Sequence, residues 1–130
     1  MRAPSLHDSE VTIDGTIATR TLVAGLLVVG PKGPSLREAD AAGLLEEVLA
    51  DLPKVQGRVL MDMARVEFMS SAGISMLVQL AEACRRAGGS LAVCGLAKPI
   101  AQVLRTTRVD RLFAVHKDRD KALARLAGGR

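Results

Sequence analysis

Val66-Glu67-Phe68-Met69-Ser70-Ser71-Ala72-Gly73 stands between a short apolar run, Arg58 to Met63, and a long amphipathic stretch. The apolar run, interrupted by Asp62, has the length and composition of a strand. Beyond the serines, Ile74, Leu77, Val78, Ala81 and Cys84 recur at helical spacing, which predicts a helix with a core-facing stripe. Gly88-Gly89 supplies its stop, because glycine accepts the left-handed conformation past a helix end. Ser70 or Ser71 starts this helix, where the first backbone N–H groups have no partner within it. The dipole and these free donors favour negative charge there. A serine at that point is either a cap or a place to put a phosphate; as a cap it is expected to be Ser71, with Ser70 a loop hydroxyl.

The same strand-then-helix unit recurs on both sides. Val11 to Ala18 and Leu22 to Val29 read as two strands joined tightly through Thr19-Arg20-Thr21, and hence antiparallel. Ser35-Leu36-Arg37-Glu38 has the spacing of a capping box, predicting a helix from Leu36, with Ser35 as its cap, to Pro53. Leu91 to Cys94 is a further buried strand, and Pro99 suits the first turn of a third helix. Phe113 to Val115 reads as a last strand, and Asp118 to Leu126 as a helix capped by Asp118. The order β-β-α-β-α-β-α-β-α implies parallel neighbours with right-handed crossovers. The expected fold is one compact α/β domain over residues 11–126, with a mixed, mostly parallel sheet of about five strands and about four helices. Residues 1–10 are expected to be flexible, and 127–130 to fray.

Composition excludes several functions. There is no Trp or Tyr, and the only Phe residues are Phe68 and Phe113, so the aromatic platforms of single-strand nucleic-acid binders are missing. Nothing at the start reads as a signal peptide, and Leu22 to Val29 is far too short to span a membrane. Cys84 and Cys94 lack metal-ligand spacing, and buried thiols in a reducing, cytoplasmic compartment are expected. The net charge of +4 conceals an asymmetry. Residues 1–82 carry seven basic and eleven acidic groups; residues 83–130 carry eleven basic and three acidic. That basic half is either a patch for an acidic partner or a set of solvated helix faces.

No glycine-rich phosphate loop ending in GK[ST] and no GxGxxG is present, so no cofactor is expected. A triad of Ser71, His116 and Asp62 can be written on paper, but Ser71 lacks the G-x-S-x-G elbow. No catalytic or metal-binding residue is assigned, and the chain is not expected to be an enzyme. Asp62, at a strand end, is expected to hydrogen-bond the loop that follows it.

Leu60-Met61-Asp62, Phe68-Met69-Ser70-Ser71-Ala72-Gly73-Ile74 and Gly88-Gly89-Ser90-Leu91-Ala92-Val93-Cys94 together resemble the bacterial anti-sigma factor antagonists. These are the single-domain members of the STAS family. The likeness continues through Pro99, Leu104, Thr107, Val109 to Phe113 and Ala122-Leu123. It implies a STAS-like fold and a protein that binds an anti-sigma factor, often also a serine kinase, thereby freeing a sigma factor. Phosphorylation of a serine at the second helix start would abolish binding, and a PP2C-type phosphatase would restore it. Against the family pattern of acid, acceptor, small residue and glycine, the acceptor falls on Ser71, with Ser70 the lesser candidate. The implied partner-binding face comprises Met69, Ser70, Ser71, Ala72, Gly73 and Ser35, with Gly73 leaving the backbone open to approach. No direct DNA binding is implied.

Two departures stand out. Ser70 occupies the usual acidic position, and Arg108 stands where a glycine often follows Thr107. An alternative within the same resemblance is a non-phosphorylated STAS subunit of an ABC-type lipid transport system or of a signalling assembly.

Overall fold

A computed structural model describes residues 10–128, with side chains to residue 126. Six strands form one sheet: β1 (Val11–Asp14), β2 (Ala18–Val23), β3 (Leu26–Pro31), β5 (Arg58–Asp62), β7 (Ser90–Cys94) and β8 (Ala114–His116), in the order β1-β2-β3-β5-β7-β8. β1, β2 and β3 are antiparallel neighbours, whereas β3, β5, β7 and β8 run parallel. A separate two-stranded ladder pairs β4 (Ser35–Leu36) with β6 (Phe68–Met69). The helices are α1 (Glu38–Val55), α2 (Ser71–Arg86), α3 (Lys98–Thr106) and α4 (Arg119–Gly128), with a 3-10 turn at Val109–Leu112.

Alternation along the strands divides the core. Leu27, Val29, Val59, Met61, Leu91 and Val93 face α1, α2 and α3. Val28, Leu60, Ala92 and Cys94 point the other way, under α4. The inner stripe of α1 (Leu44, Val48, Leu52) is the one that helical spacing selects. On α2 the expected Leu77, Ala81 and Cys84 are buried, but the stripe is rotated toward Met76 and Leu80, and the expected Ile74 and Val78 are only partly covered. Both cysteines are buried, which pushes the Cys84 thiol up to about 11 and Cys94 to about 12, so both stay protonated at neutral pH.

The sheet has more strands than the sequence suggests, because the first two expected strands are three. Thr19-Arg20-Thr21 is not a turn: it lies within β2, opposite Gly30, Val29 and Val28. The chain reverses at Ala24 and Gly25, with φ +55° and +77°, a two-residue hairpin whose twist suits the flanking strands. Ser35 does not cap α1. It is drawn into the ladder with Phe68, and the cap forms two residues later, where Asp40 Oδ2 accepts from Arg37 N at 3.2 Å. Pro53 does not end α1 either. It sits on the helix's exposed side, and α1 continues to Val55 before Gln56 turns left-handed. The expected flexible start and frayed end concern residues that lie mostly outside those described, although α4 extends to Gly128.

Arg108 takes φ +64°, between α3 and the 3-10 turn, the conformation its missing glycine would favour. Its side chain is exposed and holds no carboxylate within ion-pair distance among the described residues. Arg108→Gly is therefore expected to stabilise the fold by about 0.5–1 kcal/mol, read as a rise in melting temperature by calorimetry.

Candidate functional site

The start of α2 is held from both sides. Pro34 O accepts from the backbone N–H groups of Glu67 and Phe68 at 2.7 and 3.0 Å. Leu36 O accepts from Ser70 N at 3.0 Å, which extends the β4–β6 ladder to the first residue of the helix cap. Asp62 fixes the approach from β5: its Oδ1 accepts from Ala64 N at 3.1 Å, and its Oδ2 from Arg119 Nε at 2.8 Å. Asp62 thus bonds the loop that follows it, as expected from its place at a strand end.

The two serines have different environments. Ser70 is the N-cap: it is half-buried, and its Oγ accepts from Gly73 N at 3.4 Å. Ser71 is exposed at the first helical position, and among the described residues its hydroxyl makes no hydrogen bond. The cap belongs to Ser70 and not, as the sequence suggests, to Ser71, because only the residue just outside the helix, with extended φ and ψ, can turn its oxygen back onto the N–H three residues on. The first turn carries no acidic residue, so nothing there offsets the dipole's positive end.

Gly73 has a different reason for being glycine from the one expected. It is buried, and a Cβ on it would collide with Met69 Cγ. Its missing side chain admits Met69 of the same chain, so it does not leave the backbone open to a partner. Met69 in turn lines a groove of about 170 Å³ with Glu67, Phe68, Ile74, Pro99, Ile100 and Val103. Phe68 is 55% exposed at the lip, and Val103 is 43% exposed. On the other side of the helix start, Ala72 lines a second shallow groove against Ala41 and Leu45 of α1.

The structure therefore gathers Ser35, Met69, Ser70, Ser71 and Ala72 at one pole of α2, with Gly73 beneath them. The sequence reading missed Phe68 and Val103 as surface residues. The signal was available in Phe68, whose neighbour Val66, 1% exposed, already satisfies the core there. The paper triad does not form, because Asp62 gives its carboxylate to Arg119 and Ala64, while His116 Nε2 is buried without a partner. Among the described residues no group of His, Cys, Asp and Glu could hold a metal ion, and no helix is long and apolar enough to cross a membrane.

A family model described as the STAS domain matches residues 21–122. BtrV of Bordetella bronchiseptica, which carries the name of a candidate anti-sigma factor antagonist, is 28% identical over 106 residues, covering 82% of this chain and 90% of its own. A crystal structure of a candidate anti-sigma factor antagonist from Thermotoga maritima superposes with a TM-score of 0.76 at 17% identity, over 86% of this chain and 96% of that one. An anti-sigma-factor antagonist (STAS) domain protein from Planctomyces limnophilus gives 0.73 at 24% identity, over 92% and 98%. Both solved structures share the fold.

Proposed function

We propose, for a chain that belongs to the STAS domain family, that it is an anti-sigma factor antagonist working in the cytoplasm. Its partner is an anti-sigma factor that is also a serine kinase, and phosphorylation of Ser71 switches it off until a PP2C-type phosphatase restores it. The antagonist role is supported by the relative's name. The switch is carried by one observation: an exposed, uncommitted Ser71 hydroxyl at the first position of α2, beside an exposed apolar groove.

A hydroxyl that caps its helix cannot be modified without removing the cap; one that merely stands beside it can. Ser70 is of the first kind and Ser71 of the second. The acid that the family pattern places before the acceptor is replaced here by a serine that does a cap's work, so Ser70 keeps the structural half of that position. A phosphate on Ser71 would meet free N–H groups and the dipole's positive end, so the domain itself tolerates it.

Incubation with the cognate kinase and ATP, followed by mass-spectrometric mapping, tests the assignment. Label is expected on Ser71, and Ser71→Ala abolishes it with unchanged stability. Ser70→Ala keeps the label but costs about 1 kcal/mol in urea unfolding, the worth of a lost cap. Label on Ser70, or only at sites remote from both serines, overturns the switch. Phe68 supplies the anchor: Phe68→Ala is expected to weaken anti-sigma binding about tenfold or more by calorimetric titration, with the circular dichroism spectrum unchanged.

A further inference from the structure

We infer that the opposite pole of α2 carries a second interaction surface, shaped for an acidic amphipathic segment of another protein. From Ser71 to Arg86 the helix spans roughly 22 Å, so this surface is separate from the serine pole and does not depend on Ser71 being modified. Here α2, the start of β7 and the 3-10 turn enclose a cleft of about 360 Å³, twice the volume of the groove beside Phe68. Val78, Ala81 and Leu91 make its floor, and Leu112, 50% exposed, its lip.

The rim is cationic. Arg85 and Arg111 line the cleft, and Arg86 lies beside them at the end of the helix. Glu82 is the one acid in the lining, and it is already shared: Arg85 Nη2 lies 2.8 Å from its Oε2 and Arg86 Nε 3.6 Å from the same oxygen. The two guanidinium groups hold the Glu82 carboxyl below its ordinary range, chiefly through the Arg85 hydrogen bond. Arg111 has no carboxylate within ion-pair distance among the described residues. The approach along the chain adds Arg105 and Arg108 against Asp110 alone. This is where the basic half of the sequence becomes a surface.

Charge and shape together select the partner. An apolar floor recessed between arginines fits a helix that presents leucine- or valine-like residues inward and carboxylates along both flanks. Arginine suits those carboxylates because its planar fork can bond both oxygens. A nucleic-acid strand would leave the apolar floor uncovered and would find no aromatic to stack on, since Phe113 is 9% exposed and Phe68 belongs to the other pole.

A short fluorescein-labelled peptide of Leu and Glu at helical spacing tests this, with its Leu–Lys counterpart, duplex DNA and phosphatidylglycerol vesicles as comparisons. Saturable binding of the Glu peptide is expected, with amide shifts on NMR titration at Val78, Leu91, Arg111 and Leu112. Arg111→Glu and Leu112→Ser, both at exposed positions and both checked for unchanged melting, are each expected to weaken it about tenfold. Phosphorylation of Ser71 is expected to leave this affinity unchanged. No saturable binding, equal binding of the Lys peptide, tighter binding of DNA or vesicles, or shifts centred on the Phe68 groove would each overturn the proposal.

Discussion

Phosphorylated at Ser71, the protein is expected to bind its anti-sigma partner at least about a hundredfold more weakly than the unmodified form, a loss of roughly 2.7 kcal/mol. Ser71 is exposed at the rim of a face whose neighbours, Phe68, Met69 and Val103, are apolar. A phosphate brings about −1.5 to −2 charges and three strong acceptors into that setting. Any partner that seats an apolar group beside Phe68 must desolvate this charge or lose the packing, and either outcome exceeds a single hydrogen bond. The same charge meets α2 from its favourable end, so the melting temperature of the phosphoprotein should match that of the unmodified chain. Titration calorimetry of the two forms measures the first effect and differential scanning calorimetry the second. Unchanged affinity on stoichiometric phosphorylation would remove the switch while leaving the binding face in place. Ser71→Asp should fall between the two, since a carboxylate carries less charge and one fewer acceptor oxygen.

The largest stability effect is expected at Asp51, far from that face. Asp51, on α1, is the buried carboxylate that pairs with Arg20 of β2; their side chains are 6% and 15% exposed. Lys54 Nζ reaches the other oxygen at 3.2 Å from a more exposed position. Asp51→Ala would leave the Arg20 guanidinium in the protein interior with Glu47 alone, and Glu47 Oε1 stands 3.6 Å from Arg20 Nε, too far to hydrogen-bond. Breaking a buried pair by removing one partner costs about 3 kcal/mol or more. Replacing both, Arg20→Met with Asp51→Leu, should recover most of that loss, because the cost lies in the orphaned charge. Urea unfolding of the two variants decides it: equal losses would show that the pair itself, not the orphaned guanidinium, carries the stability.

Residues whose environment follows from periodicity were legible in the sequence. The buried β5 and β7, the Pro99 start of α3 and the Asp118 cap, which accepts from Lys121 N at 2.9 Å, read correctly, and Leu77, Ala81 and Cys84 of the stripe expected on α2 are buried, whereas Ile74 and Val78 are only partly covered. The hairpin at Ala24-Gly25 did not, because Leu22, Val23, Leu26 and Leu27 make the sequence apolar across the turn and hide it. The β4–β6 ladder did not either. Two-residue strands have no period, and Ser35-Leu36 looked like a helix start for the same local chemistry that Arg37 and Asp40 realise two residues later. At the candidate site the serine pair was found, but not its division of labour. One residue of shift decides which hydroxyl caps and which is free, and propensity does not resolve one residue. Phe68 went unnoticed as a surface group because an aromatic in an apolar run reads as core until its neighbours are seen to fill that core.

The sheet is covered unequally on its two faces. Three helices and a continuous aliphatic cluster close one side; on the other, α4 contributes Ala122 as its one fully buried side chain among the described residues, with Leu123 and Leu126 partly covered. The two halves should therefore differ in lifetime. Amide protons of α4 should exchange with solvent well before those of α1 and α2, through an opening that bares Val28, Leu60 and Ala92 while the rest of the domain stays closed. The serine pole hangs on the long-lived half, through Pro34, Leu36 and the body of α2. Beyond that apolar packing, Arg119 makes the one side-chain hydrogen bond from α4 to the rest of the domain among the described residues, and its bond to Asp62 ties the short-lived helix to the loop that leads toward the serines. Opening of α4 thus has, among the described residues, one side-chain hydrogen bond to break before it reaches the loop that leads to Ser70 and Ser71.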